Sequence, residues 1–128
     1  MRFLVVDGSR MLPALIERVA PADVEVETAS TYDEAKCTIC GHPPAVVIVN
    51  LGPADLPWHE LHECCRTQSP PIPVLYESCI YHGPEEVGIG CLDEDCAFLT
   101  KPYSLSELRD QIARLIQLAD NDWPTYRH

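Results

Sequence analysis

Apolar residues along the chain fall into five short runs, with helix-like spacing between them. Arg2–Val6 is the first run. Behind it Leu12, Leu15, Ile16 and Val19 recur at three- and four-residue intervals, which predicts a helix over about 9–20. Pro13 falls in its opening turn, where a missing N–H does little harm. Val24–Thr28 alternates apolar and acidic positions, as a strand near a sheet edge does. Thr31-Tyr-Asp-Glu34 is a capping box, so a helix should follow to about Cys40 and stop at Gly41 and Pro43. Ala45–Asn50 is apolar until its last residue, the pattern of a central parallel strand covered on both faces. A third helix is predicted from Trp58 to Gln68, and a fourth strand over Val74–Glu77 after the Pro-rich SPPIP. The next stretch, HGPEEVGIGCLDED, is a poor helix former, because Gly83, Gly88 and Gly90 each cost roughly 1 kcal/mol relative to Ala. Ala97–Thr100 is the fifth strand. Ser104-Leu-Ser-Glu107 is a second capping box, and it opens a helix with Leu105, Leu108, Ile112 and Leu115 on one face, joined by Ile116 and Leu118.

Strands alternating with helices predict an α/β fold with a parallel sheet. In such sheets functional sites form at the carboxyl ends of the strands. That rule selects Asp7, Asn50, Ser78 and Lys101, each of which ends or directly follows a predicted strand.

Composition narrows the function classes. The chain has 128 residues, enough for one domain with a sizeable core, and no internal repeat or low-complexity tract. Its net charge of −11 argues against a nucleic-acid surface, which needs clustered Lys and Arg. The opening apolar run, Phe3–Val6, is too short for a signal peptide, and nothing approaches the roughly 20 apolar residues of a membrane span. A soluble, cytoplasmic protein is expected, with residues 1–119 forming one domain and 120–128 a tail or the start of a linker. These 128 residues read either as a stand-alone domain or as the first module of a longer protein.

Four segments together resemble the receiver domain of bacterial two-component response regulators, over Arg2 to about Ala119. RFLVVDGS is similar to the family's first strand, which ends in an acidic pair. AVVIVNL is similar to the strand that ends in the phosphorylated aspartate, and IPVLYES to the strand that ends in the Thr or Ser sensing the phosphoryl group. AFLTKPYS is similar to the segment with an aromatic residue three positions before a Lys-Pro. The resemblance implies a (βα)5 doubly wound, flavodoxin-like fold with five parallel strands in the order 2-1-3-4-5. It also implies a non-enzymatic role in signal transduction and phosphorelay. Its partners would be proteins, a histidine kinase or an output protein among them, with homodimer formation open.

By position, Asp7 stands in the family's acidic pair and Gly8 takes its partner's place. Asn50 occupies the phosphoacceptor position, Ser78 the switch hydroxyl, Lys101 the lysine and Phe98 the switch aromatic. The family's chemistry needs a carboxylate nucleophile, Mg²⁺ held by carboxylate oxygens and a lysine to balance developing charge. Asn50 is a weak nucleophile without charge, and Gly8 removes a metal ligand. The expectation is therefore an atypical receiver that works without aspartate phosphorylation and binds Mg²⁺ weakly or not at all. Lys101 would then pair with Asp7 and the Asn50 carbonyl, although Asp7 and Lys101 also read as ordinary strand-end polar groups. The alternative is a phosphate-accepting regulator using another carboxylate, Asp55 or Asp7, with Mg²⁺.

The cysteines offer a third reading. There are seven, namely Cys37, Cys40, Cys64, Cys65, Cys79, Cys91 and Cys96, and with no secretory signal they should be reduced thiols. Cys37-Thr-Ile-Cys40-Gly-His42, with His59, His62, Cys64 and Cys65, suggests zinc or a redox switch through Cys37 and Cys40. In the receiver fold that the resemblance implies, the two helices that carry them are expected to flank the sheet at opposite or offset positions. One tetrahedral site would then be strained, and the favoured expectation is free thiols serving as small apolar fillers. Trp58 reads as a packing residue, Tyr81 and His82 as loop residues bordering the site, and Asp93-Glu94-Asp95 as solvated surface. In the family the Gly-rich stretch, the fifth strand and the final helix form an output face. An irregular stretch there would favour a dedicated partner.

Overall fold

The computed structural model describes residues 1–7, 11–50, 58–68, 71–78, 96–100 and 103–121, with the backbone alone for 58, 59, 78, 96, 100, 120 and 121. Five strands, β1 (Arg2–Val6), β2 (Glu25–Ala29), β3 (Val46–Asn50), β4 (Val74–Ser78) and β5 (Cys96–Thr100), form one sheet in the order β2-β1-β3-β4-β5, all parallel. Helices α1 (Met11–Val19), α2 (Tyr32–Gly41), α3 (Trp58–Arg66) and α4 (Leu105–Asn121) cover it. The expected fold class and strand order are thus present. The Gly-rich stretch after β4 lies outside the described residues, as do Tyr81, His82, Cys79, Cys91 and the acidic run 93–95.

The sheet divides the core into two layers because successive strand residues point to opposite faces. On one face Phe3, Val5, Val46, Ile48, Leu75 and Leu99 pack against Leu12 and Ile16 of α1 and Leu108, Ile112 and Leu115 of α4. On the other, Leu4, Val6, Val47, Val49, Val74 and Tyr76 pack against Ala35 and Ile39 of α2 and Leu61 and Cys65 of α3. β3 is buried on both faces from Val46 to Val49, which is why that run reads as uniformly apolar. β2 is an edge strand, and its acidic positions face out. One of them, Glu27, ion-pairs with Arg2 at 2.7 Å.

The capping box at α4 forms in full, and the one at α2 forms in half. Ser104 Oγ accepts from the Glu107 N–H and Glu107 accepts from the Ser104 N–H, each at 3.0 Å. At α2 the arrangement differs by one residue: Thr31 Oγ1 accepts from the Glu34 N–H, but the Glu34 carboxylate takes the N–H of Ser30. The end of α2 also departs from expectation. Gly41 is still helical, and the cap is His42, at φ −151° and ψ 82°, with its N–H donating to the Thr38 carbonyl at 2.8 Å. Leu105, expected on the buried face, is the first residue of α4 and is 42% exposed.

α2 and α3 lie side by side on the same face, packed on a shared core. This corrects the expected opposite or offset placement of the two cysteine-bearing helices. Both helices return from parallel strands and therefore run in the same direction.

Candidate functional site

The carboxyl end of the sheet gathers polar residues from adjacent strands. Asp7 directly follows β1, and its N–H donates to the Ala29 carbonyl at 3.0 Å. Asn50 ends β3, and its side-chain nitrogen donates to Asp7 Oδ1 at 3.2 Å. Ser78 ends β4 opposite Thr100 in the register of β5. Phe98 is partly buried on the α2/α3 face, one strand over from Tyr76. Gly8, Asp55 and Lys101 lie outside the described residues, as therefore does the expected contact of Lys101 with Asp7 and Asn50.

A second carboxylate stands in this row, and the sequence reading passed over it. Glu77 pairs in register with Asn50 and is the only charged side chain among the described residues that is fully buried. It shares the α1/α4 face with Leu75, two residues before it. The Tyr103 hydroxyl donates to it. Tyr103 immediately precedes the Ser104 cap, so the capping box aims it, and its ring packs in the same core layer as Leu108 one turn into the helix. Burial, the bond to Glu77 and the nearby charges of Glu77 and Asp7 hold the Tyr103 hydroxyl protonated well above the usual phenol range. The available signal was a lone acid in an otherwise apolar strand, VLYES, which a solvent-facing strand end would also explain.

The row Asp7–Asn50–Glu77 therefore alternates carboxylate, amide and carboxylate. A hard dication such as Mg²⁺ seeks several anionic or carbonyl oxygens in a near-octahedral shell. Here Asp7 presents one carboxylate, position 8 has no side chain, and Asn50 turns an N–H₂ donor towards Asp7, where a metal would need a lone pair. Glu77 is fully buried and holds Tyr103. The side chains described here do not fit that ion.

The cysteines are arranged differently from the CxxCxH reading. Cys37 and Cys40 are exposed on α2, Cys64 is partly buried on α3, and Cys65 is buried in the core. His62 is committed elsewhere: its Nδ1 lies 2.6 Å from the hydroxyl of Tyr76, and the two rings are 5.8 Å apart. Among the described residues no three His, Cys, Asp or Glu side chains converge to hold a metal ion. No described helix is long and apolar enough to cross a membrane.

No protein-family model matches the sequence, and no curated protein matches it either. Solved structures do match in fold. The signal receiver domain of a LuxO repressor protein from Vibrio parahaemolyticus superposes with a TM-score of 0.75 at 20% identity, over 93% of this chain and 92% of that one. The two-component transcriptional regulator AraC from Clostridium phytofermentans gives 0.75 at 20% identity, over 93% and 95%. The chemotaxis response regulator CheY4 of Vibrio cholerae gives 0.68 at 24% identity, over 89% and 97%. The fold of this chain is the receiver fold.

Proposed function

We propose that this chain is a receiver-type signal-transduction module that acts through protein–protein contacts, without aspartate phosphorylation, without Mg²⁺ and without enzymatic activity. The observation that carries the reading is Asn50 at the phosphoacceptor position, with its amide nitrogen turned to Asp7 and Glu77 buried in register beside it. An amide in place of the carboxylate leaves only a neutral, weakly nucleophilic oxygen at the position where the bond to phosphorus would form. A dianionic phosphoryl group placed there would face two carboxylates, an arrangement whose repulsion is strongest where water is excluded. The partners are cytoplasmic proteins, such as a kinase or an output protein, met by a domain whose net charge is −11.

Intact mass after incubation with acetyl phosphate and Mg²⁺ tests this reading, with a Gly8→Asp, Asn50→Asp double variant alongside. No phosphoryl adduct is expected on the wild-type chain. A Mg²⁺-dependent adduct on the wild type would show that another carboxylate, Asp55 or Asp7, has taken the role, and the proposal would fail.

A further inference from the structure

Helices α2 and α3 are parallel neighbours packed on a shared core, and an ion pair between them marks their relative register. Lys36 Nζ lies 2.8 Å from Glu60 Oε2. One turn further along each helix come Cys40 and Cys64, both at i+4 from the paired residues. Since the helices run in the same direction, the turn that follows the ion pair brings these two thiols face to face. Cys40 is exposed, whereas Cys64 is half-buried against the core beneath. Cys65 is buried in the core against the sheet, and of the two exposed thiols on α2 it is Cys40, not Cys37, that neighbours Cys64.

We propose that Cys40 and Cys64 form a redox-active dithiol that low-molecular-weight disulfides oxidise to an α2–α3 cross-link. Cys40 loses its proton to solvent, and its thiolate attacks one sulfur of the small disulfide. A mixed disulfide forms and the first small thiolate leaves. Cys64 then loses its proton and attacks the Cys40 sulfur, expelling the second small thiolate. The protein gives up two electrons and two protons, and one small disulfide becomes two small thiols. The order of attack follows from the environments of the two groups. Cys40 is open to solvent, while burial, followed by the charge and hydrogen bond of the adjacent Cys40 thiol, raises Cys64 above the usual thiol range. Cys64 is therefore the resolving thiol. This site is independent of Asp7, Asn50 and Glu77, so it stands or falls separately from the proposed signalling mode.

The test uses the full chain, treated with oxidised glutathione, alkylated and cleaved after glutamate. That cleavage places Cys37 and Cys40 in the peptide 35–60 and Cys64 and Cys65 in the peptide 64–77. The expected product is 35–60 linked to 64–77 through Cys40 and Cys64, with one alkyl group on each peptide, at Cys37 and Cys65. It has two hydrogens fewer than the same peptides with Cys40 and Cys64 as free thiols, and dithiothreitol releases it. Cys37→Ser should retain the link, and Cys40→Ser should lose it and accumulate no intramolecular bond. Circular dichroism on Cys40→Ser, a change at an exposed position, confirms that it remains folded. A bond internal to 35–60, a link that persists in Cys40→Ser, or glutathione remaining on Cys40 without resolution would each overturn the proposal.

Discussion

Tyr103 donates its hydroxyl to the buried carboxylate of Glu77, tying the residue ahead of α4 to the end of β4. Because Glu77 is in register with Asn50, this contact closes one side of the strand-end site from beneath. A hydrogen bond to an ionisable buried group is among the stronger local contributions to stability, and removing the donor leaves the carboxylate to bear its desolvation.

Tyr103→Phe should therefore lower the unfolding free energy by about 1–3 kcal/mol. Tyr32 is the internal control. Its hydroxyl is also buried, but it has no hydrogen-bond partner among the described residues. Tyr32→Phe removes a desolvated group without breaking a bond, so stability should stay within about 0.5 kcal/mol of wild type or rise. Urea unfolding of the two variants distinguishes them. Equal losses would mean that the bonded Tyr103 hydroxyl contributes no more than the unpaired Tyr32 hydroxyl.

The same two hydroxyls make the fold sensitive to alkali. Burial pushes Tyr32 up to about 12, and Tyr103 is held higher still by burial and by Glu77. In the unfolded chain both ionise near 10. A group whose folded pKa is raised contributes stability that is whole below the unfolded value and is lost as pH rises towards the folded one. Stability should accordingly fall from about pH 10 upwards, and fall less steeply in Tyr103→Phe. Urea midpoints measured between pH 9 and pH 11, on the wild type and the variant, check the sign, and a wild-type midpoint that held constant would contradict it.

Asn50→Asp should expose the electrostatics of the site. The new carboxylate replaces a donor facing Asp7 and lies in register with Glu77, so its own pKa should be raised. The cost is then absent below the unfolded carboxylate value near 4 and grows as pH rises through the folded value. At pH 7 the variant should be less stable than wild type by about 1 kcal/mol or more, and at pH 4 nearly equal. An equal loss at both values would assign the effect to packing. A gain at pH 7 would mean that the site already supplies compensating positive charge.

The backbone plan was legible in the sequence because local rules produce it. The uniform apolar run before Asn50 marks a strand covered on both faces, and β3 is central in the sheet. The alternating acids of residues 24–28 mark an edge, and β2 is one. Ser104 and Glu107 state where the last helix begins, since the two side chains cap each other's backbone whatever lies around them. That Asp7 and Asn50 stand side by side was legible because the ends of adjacent parallel strands converge. Leu105 was misplaced because helical spacing reports which face a residue is on and says nothing of whether a first-turn residue is covered.

What only the tertiary structure decided are contacts between residues far apart in the chain. Glu77 looks like a solvent-facing strand end until Tyr103, 26 residues later, is seen folded onto it. The CxxC spacing draws attention to Cys37 and Cys40, whereas the packing of α2 on α3, marked by the Lys36–Glu60 ion pair 24 residues apart, sets Cys40 against Cys64 on the neighbouring helix. The physical reason is the same in both cases. Periodicity and capping are local and depend on neighbours within a few residues, but the partner of a polar side chain is chosen by how strands order and helices pack, which no short window of sequence contains.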